Sequence, residues 1–145
     1  MSAKEDLRLY IRVCVIMASL YVVCHLIYNH YLVKDGIIVE AVICRKYTGA
    51  HGCQYRDYAY AVNGINFTGT TSHSKNASVN DTIFVVVSAK KHERSRPVSL
   101  VQGRAIIFND INQRVVVNNM SSEEKRELSD RLMSDLRKRY WVKSK

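Results

Sequence analysis

The chain has 145 residues, and its 22 Lys and Arg outnumber its 13 Asp and Glu, which gives a formal net charge of +9. This length allows one small domain beside a membrane segment, but not two domains. The sequence contains no Gly-rich phosphate loop, no His-Glu-x-x-His motif and no paired-carboxylate arrangement. It therefore gives no reason to predict nucleotide binding or metal-dependent hydrolysis.

The first predicted element is a membrane-spanning helix over residues 13–33 (VCVIMASLYVVCHLIYNHYLV), which are uncharged and mostly apolar. A helix of this length reaches about 31 Å, close to the thickness of about 30 Å of a bilayer's hydrocarbon core. A cleaved signal peptide would need a shorter apolar core and small residues before the cleavage site, where this chain has the bulky Val23 before Cys24. We therefore expect an uncleaved anchor.

The flanks of this helix predict its orientation. Lys4, Arg8 and Arg12 precede it, whereas only Lys34 follows it closely. Because Lys and Arg are retained on the cytoplasmic side of a membrane segment, we expect residues 1–12 in the cytoplasm and the chain after residue 33 outside it. The prediction is a single-pass protein whose integral partner is the lipid bilayer.

Residues 34–119 are expected to form one β domain, which begins with a hairpin. Residues 36–47 (GIIVEAVICRKY) are rich in β-branched side chains, which favour strands. The next segment, residues 48–52, contains two glycines and suits a reversal of the chain. A second strand is therefore expected to run back along the first from residue 55.

A second hairpin is predicted around Asn63-Gly64, because these residue types tolerate the positive φ that a two-residue turn requires. The side chains before this turn alternate between two faces. Pairing Val62 with Ile65, and Tyr60 with Phe67, places all four on one face of the sheet.

The rest of the β domain is predicted from short segments. Residues 82–88 (TIFVVVS) are apolar at almost every position, which indicates a strand buried on both faces. Pro97 restricts the next strand to an edge or a start, after which residues 98–101 can pair briefly. Residues 104–108 and 114–117 predict a further hairpin. We expect six or seven antiparallel strands that curl into a small barrel or two packed sheets, because closure removes exposed edges.

The last predicted element, within residues 120–145, is an amphipathic helix. Ser121 and Glu124 have the spacing of a capping box. Apolar side chains recur every four residues and form one narrow stripe: Leu128, Leu132, Leu136 and Tyr140. This stripe can pack on the β domain, or the helix can lie in a membrane surface with its cations toward anionic lipid. The predicted fold is thus mainly β, with an N-terminal transmembrane helix and a C-terminal amphipathic α-helix.

Several of these segments together resemble a known kind of protein. They are the strand Gly-Ile-Ile-Val-Glu-Ala-Val at residues 36–42, the patterns Tyr58-x-Tyr60-x-Val62-Asn63-Gly64-x-x-Phe67 and Asn80-Asp81-Thr82-Ile83-x-Val85, and a loop containing Pro97. Over roughly residues 9–99, the chain is similar to a family of bacterial membrane-anchored β-domain proteins of unknown function. The resemblance implies one or two membrane helices, a small extracytoplasmic β domain and a cell-envelope setting, and it implies no activity.

Two of the four cysteines, Cys44 and Cys53, flank the first predicted turn. If the reversal is centred on Thr48-Gly49, the two cysteines face each other across the hairpin, and in an oxidising compartment they can form a disulfide. Free thiols are the alternative, because cross-strand geometry is often strained and a different register separates the sulfur atoms. We predict the Cys44–Cys53 disulfide.

Catalytic and metal-binding interpretations have little support in the sequence. Ser88 and Lys91 have the Ser-x-x-Lys spacing of some acyl-transfer enzymes, but that spacing needs a helix, and here it crosses the end of a strand. Cys44, Cys53 and the histidines lack the paired spacing of a zinc site. We predict a protein that is not an enzyme and has no catalytic residue, metal site or cofactor.

Positive charge is concentrated outside the anchor in two clusters. They contain the predicted binding residues for an anionic partner: Lys90, Lys91, Arg94 and Arg96 in the first, and Arg137, Lys138 and Arg139 in the second. On the extracytoplasmic side this partner is expected to be anionic lipid or an acidic envelope protein, and not nucleic acid.

The first functional hypothesis is therefore a membrane-anchored, non-enzymatic binding module of the cell envelope. The second is an inverted topology, in which a cytoplasmic β domain binds lipid or nucleic acid. The third is an envelope hydrolase that uses Ser88 and Lys91.

Overall fold

The protein has a long N-terminal helix, one antiparallel sheet and a C-terminal helix, in a computed structural model that describes residues 3–72, 77–102 and 117–143. The helices are α1 (Ala3–Lys34), α2 (Val98–Gln102) and α3 (Ser122–Arg139). The strands are β1 (Gly36–Thr48), β2 (Gln54–Val62), β3 (Ile65–Thr71), β4 (Thr82–Ser88) and β5 (Ser95–Pro97). A short 3-10 turn, Ala50–Gly52, joins β1 to β2.

The five strands form one sheet in the order β3-β2-β1-β4-β5, and each neighbouring pair is antiparallel. The sheet is curved into half a barrel. The predicted class of fold is therefore confirmed, but the described part of the chain contains fewer strands than the six or seven predicted. The hairpin predicted at residues 104–108 and 114–117 lies outside the described residues, apart from Val117, which is buried.

The β2–β3 hairpin has the predicted register. Val62 pairs with Ile65 and Tyr60 pairs with Phe67. At the turn, Asn63 and Gly64 have φ values of 52° and 78°. Positive φ at both central residues is the geometry of a type I′ turn, whose twist suits the strands beside it. The prediction from the Asn-Gly pair is confirmed.

The strand predicted at residues 98–101 is wrong, because Val98–Gln102 forms the short helix α2. Pro97 ends β5 at the edge of the sheet, where it pairs with Val85. A proline cannot donate a hydrogen bond to the ladder, and its fixed φ suits the start of a helix. Val98 and Val101 then lie on one face of that helix, and both are buried.

The sheet has a hydrophobic core on each face, and β4 contributes to both. On one face, side chains of β4 pack with Ile43 of β1 and Tyr58 of β2. On the other, Phe84 and Val86 pack with α1, α2 and α3. The central five residues of β4 are all buried: Ile83, Phe84, Val85, Val86 and Val87. This confirms the prediction of a strand that is apolar on both faces.

Two tyrosines of β2 hold the curvature of the sheet. The Tyr58 hydroxyl lies 3.0 Å from Ser95 Oγ in β5, and the Tyr60 hydroxyl donates to the His92 carbonyl at 2.7 Å. Gly69 of β3 makes room for the Tyr58 ring, which a Cβ at that position would overlap. Burial is the largest cause that raises the pKa of Tyr58 and of Tyr60. Both phenols therefore stay neutral at physiological pH and keep these hydrogen bonds.

Helix α3 begins with the predicted capping box and packs on the β domain. The Ser121 hydroxyl accepts from the Glu124 N–H at 3.2 Å, and the Glu124 carboxylate accepts from the Ser121 N–H at 2.7 Å. That backbone hydrogen bond is the main cause that lowers the pKa of Glu124. Its stabilisation is therefore present above the unfolded pKa of the carboxyl and is lost as pH falls through the folded value. The apolar face of α3 contributes Met133 and Leu136 to the core with α1, and Tyr140, just after the helix, packs in the same core.

The last turns of α1 belong to the β domain. Residues 4–27 are exposed, apart from a half-buried His25, whereas Leu32 and Val33 are 4% and 0% exposed in the core with β4 and α3. Helix α1 is long and apolar enough to span a membrane. Its exposed part ends at Ile27, however. Within residues 28–33 of the predicted span, Tyr31 is exposed and the other five residues are buried or half-buried.

Two leucines of α1 offer a test of this boundary. Leu32 is 4% exposed, and Leu26 in the same helix is 47% exposed. Leu32→Ala is expected to lower the free energy of unfolding by about 2–5 kcal/mol, because it opens a cavity in the core. Leu26→Ala is the matched control and should change it by less than about 0.5 kcal/mol. Urea unfolding in one mild detergent, followed by near-UV circular dichroism, measures both, and equal losses would place the boundary elsewhere.

Candidate functional site

A polar network fastens α1 to the β domain. Asn29 of α1 is 0% exposed. Its side-chain oxygen accepts a hydrogen bond from Arg96 Nη1 at 2.8 Å, and its amide donates to the Tyr140 hydroxyl at 3.0 Å. That hydroxyl donates onward to the Val101 carbonyl at 2.6 Å. The network joins α1, β5, α2 and the end of α3, and it satisfies the hydrogen-bonding groups of a buried amide.

Arg96 makes two further contacts with α1. Its Nη1 lies 3.1 Å from His25 Nδ1, and because a guanidinium can only donate, the imidazole nitrogen accepts. Its central carbon lies 4.1 Å from the centre of the Tyr28 ring, which is a cation–π contact. Near the same level of α1, His30 Nδ1 lies 2.8 Å from the Tyr140 carbonyl. One side of α1 is thus held by β5 and by the end of α3.

Arg96 therefore positions α1, a role that the sequence reasoning missed. It belongs to the first cluster predicted to bind an anionic partner, but it is half-buried, and its guanidinium contacts His25, Tyr28 and Asn29. The available signal in the sequence was Asn29. A strongly polar amide inside an apolar run needs hydrogen-bonding partners, and these come from outside the helix.

The rest of the first basic cluster lies in the loop between β4 and β5, beside the end of α1. The Ala89 N–H donates to the Asp35 carbonyl at 3.1 Å, and Lys90 Nζ forms a salt bridge with the Asp35 carboxylate at 3.2 Å. Asp35 directly follows α1. Lys91 and Arg94 are exposed in this loop, so the loop presents cations at the corner between α1 and β1.

Helix α3 directs its basic end toward α1. Near its start, Lys125 Nζ forms a salt bridge with the Glu40 carboxylate of β1 at 3.2 Å. Just after its end, Tyr140 contacts Asn29 of α1. The last turn of α3 contains the second basic cluster: Arg137, Lys138 and Arg139. These cations complement the negative end of the helix dipole, and they lie beside the same end of α1 as the β4–β5 loop.

Two clusters that are far apart in the sequence therefore each lie near the C-terminal part of α1, the first beside Asp35 and the second beside Tyr140. We call this set the basic rim: Lys90, Lys91, Arg94, Arg137, Lys138 and Arg139. Arg137 is half-buried and the other five are exposed. Exposed cations repel one another only over the screening length of about 8 Å at physiological salt. The rim can therefore persist in solution, and its charge suits an anionic surface or ligand.

The predicted cross-strand position of Cys44 and Cys53 is wrong. Thr48 pairs with Gln54, so the reversal is centred on the 3-10 turn and not on Thr48-Gly49. Cys44 lies at a bulge in β1, and Cys53 lies opposite Gly49, whose N–H donates to the Cys53 carbonyl at 2.8 Å. Five residues of strand separate the two positions by about 16 Å, more than twice the distance that a disulfide spans. Both cysteines are free and exposed.

Ser88 and Lys91 lie in a turn at the end of β4. The Ser88 hydroxyl accepts a hydrogen bond from the backbone N–H of Lys91 at 3.2 Å, so the pair is related by turn geometry and not by a helix. Among the described residues, no group of three or more His, Cys, Asp and Glu side chains could hold a metal ion.

No family model, curated protein or solved structure matches this chain. The resemblance to membrane-anchored β-domain proteins therefore stays a prediction.

The contribution of Arg96 can be measured against that of Arg94 in the neighbouring loop. Arg96→Lys is expected to lower the free energy of unfolding by about 1.5–3 kcal/mol, because a lysine cannot keep both the hydrogen bond to Asn29 and the contact with the Tyr28 ring. Arg94 is exposed, so Arg94→Lys should change it by less than about 0.5 kcal/mol.

The measurement is urea unfolding of the full chain in mild detergent. If Arg96→Lys is as stable as Arg94→Lys, the network does not hold α1 to the domain.

Proposed function

We propose that this protein is a single-pass, membrane-anchored binding module without catalytic activity, which holds its β domain against the bilayer and binds anionic groups there. One observation carries the proposal: both halves of the basic rim lie beside the end of α1, a helix long and apolar enough to span a membrane. Cations at that level would face lipid headgroups. Each contributes about 1 kcal/mol near an anionic surface, so six together can orient a domain.

The exposed part of α1 suits a span that ends just below the rim. Residues 7–27 make a helix of about 31 Å, the thickness of the hydrocarbon core. Arg8 and Arg12 would then lie in the outer turns on the far side, where long cationic side chains can reach the headgroups. This places the span further toward the N-terminus than residues 13–33, and it leaves Tyr28 and Asn29 in the domain.

The proposed orientation has the N-terminus in the cytoplasm and the β domain outside it. Lys4, Arg8 and Arg12 support it by the bias of cations toward the cytoplasmic flank. The rim favours a second candidate, the inverted topology, because the cytoplasmic surface of a membrane carries the more negative potential. An acidic envelope protein is the alternative partner for the rim in the first orientation.

Reporter fusions decide between the two orientations. A reporter that is active only outside the cytoplasm, fused after Lys145, should be active, and a cytoplasmic reporter at that position should be silent. In a control with Lys4, Arg8 and Arg12 all replaced by Gln, the fraction in this orientation should fall, because these cations set it. The opposite pattern of activity would establish the cytoplasmic β domain.

Trypsin tests the rim with an internal control, because it cleaves after Lys and Arg. In nanodiscs of anionic lipid, the full chain should be cleaved after Lys91 and Arg94 more slowly than in zwitterionic nanodiscs, and high salt should abolish the difference. Cleavage after Lys46 should be the same in both. Lys46 is exposed near the far end of β1, about 30 Å along the strand from Gly36.

Variants of α3 distinguish an effect of the rim cations from an effect of the overall positive charge of the domain. Replacing Arg137, Lys138 and Arg139 by Gln should weaken the protection of the loop by up to about 1 kcal/mol per cation. Arg126→Gln with Arg131→Gln is the matched control, since both are exposed in α3 away from its basic end. Equal cleavage of the wild-type loop in both lipids would remove anionic lipid as the partner and leave an acidic protein.

A further inference from the structure

The turn after α3 exposes the one tryptophan of the chain in an uncommon backbone conformation. Trp141 has a φ of 53° and is 86% exposed. Its N–H donates to the Lys138 carbonyl at 3.2 Å, and the Val142 N–H donates to the Arg137 carbonyl at 2.8 Å. These two bonds are the Schellman arrangement, in which the position of Trp141 is usually glycine, because a side chain there is disfavoured.

Folding of the domain does not account for this tryptophan. Trp141 is the most exposed large hydrophobic side chain among the described residues, while its neighbours Tyr140 and Val142 pack in the core. A glycine would make the same turn without the unfavourable φ and without exposing an indole to water. Side chains kept in such conformations cluster at functional sites, so the surroundings of the indole indicate its role.

Trp141 lies at the level where α1 leaves the domain. The hydroxyl of Tyr140, the preceding residue, accepts a hydrogen bond from the Asn29 amide, and the Tyr140 carbonyl oxygen lies 2.8 Å from His30 Nδ1. Tyr31, on the next position of α1, is also exposed. The exposed cations around the tryptophan belong to the same turn and its flanks: Lys138, Arg139 and Lys143. An exposed aromatic ring among cations, beside the end of an apolar helix, is the composition of a membrane interface.

We propose that Trp141 and its basic neighbours are an interfacial anchor for the β domain. The indole inserts among the headgroups of the bilayer that α1 spans, and Lys138, Arg139 and Lys143 bind the phosphates of anionic phospholipids. This inference rests on the proposed membrane function and adds a second point of attachment beside α1. An indole suits the site because its ring is apolar and its N–H donates to headgroup oxygens.

We infer that lipid contacts the turn at Trp141, and not a protein, because this turn lies next to α1. The network of Asn29 and Tyr140 fixes Trp141 next to α1, so headgroups are present at a high effective concentration and no separate encounter is needed. With α1 as the first attachment, contact at the turn limits the tilt of the domain. A protein partner would have to reach the same position between the domain and the bilayer.

Tryptophan fluorescence reports on this residue alone, since the chain contains no other tryptophan. The full chain is reconstituted in nanodiscs of phosphatidylcholine and phosphatidylglycerol, with or without lipids brominated near the headgroup end of the chains. Trp141 emission should be quenched by the brominated lipid and protected from iodide. The matched control, Trp141→Phe with Tyr47→Trp, places the only tryptophan on the β1–β2 hairpin. Its emission should be quenched by iodide and unaffected by brominated lipid.

A second variant separates anchoring from folding. Trp141→Gly should raise the urea midpoint in detergent, because glycine accepts the left-handed φ. In anionic nanodiscs, however, it should increase the rate of tryptic cleavage after Lys91 and Arg94 severalfold. A residue that served only the turn would show the first effect without the second.

The outcomes distinguish this inference from the proposed function. If the chain is extracted from liposomes by alkaline carbonate, the membrane function itself is wrong. If the chain stays in the bilayer but Trp141 behaves like the hairpin control, the interfacial anchor alone is wrong. If Trp141 is shielded from iodide and not quenched by brominated lipid, a protein surface covers it and the inference is overturned.

Discussion

The position of α1 on the β domain is fixed by the hydrogen bond between Arg96 and Asn29, together with the packing of Leu32 and Val33 in the core. Only Asp35 separates α1 from β1, and a single residue does not fix the angle between a helix and a sheet. The contacts of Arg96 with His25, Tyr28 and Asn29, continued through Tyr140, supply that constraint. A partly desolvated cation is costly to place, and here it gains hydrogen bonds and an aromatic face in return. The result is an apolar helix and a β domain that behave as one unit.

The charge pattern of the surface follows from this junction. Helix α3 uses its apolar stripe in the core with α1, so its basic end has to lie beside α1. The β4–β5 loop reaches the same corner because β4 pairs antiparallel with β1, which places Ser88 opposite Gly36. Core packing and strand pairing determine the positions of both segments, and their positive charge does not. The rim is therefore a consequence of sheet register and helix packing, and a change in either would separate its two halves.

The sequence predicted those features that depend on local chemistry. Asn63-Gly64, the capping box at Ser121 and the continuous apolar run of β4 each specify their structure within a few residues, and each is confirmed. The predictions that failed concern features that depend on contacts between residues further apart in the sequence. The centre of the first reversal depends on how the 3-10 turn fits between β1 and β2, which the glycines alone do not fix, and so Cys44 and Cys53 were misplaced. The ends of an apolar run do not show which of its turns also pack against a domain, and for that reason the burial of Asn29, Leu32 and Val33 was not predicted.

The same limits apply to the candidate site. Both basic clusters are visible in the sequence, but their convergence is not, because it arises from contacts more than sixty residues apart along the chain, such as Arg96 with Asn29 and Tyr140 with Asn29. Composition also does not show which cations of a cluster contact the rest of the protein and which are exposed to solvent. Arg96 faces inward because Asn29 requires a donor, whereas Lys91 and Arg94 have exposed side chains.

A domain held rigidly by α1 loses little further freedom when exposed cations meet a membrane surface, since most of the orientational entropy has already been lost at the junction. Contacts of about 1 kcal/mol each are then sufficient to set its tilt, which they would not be for a domain on a flexible linker.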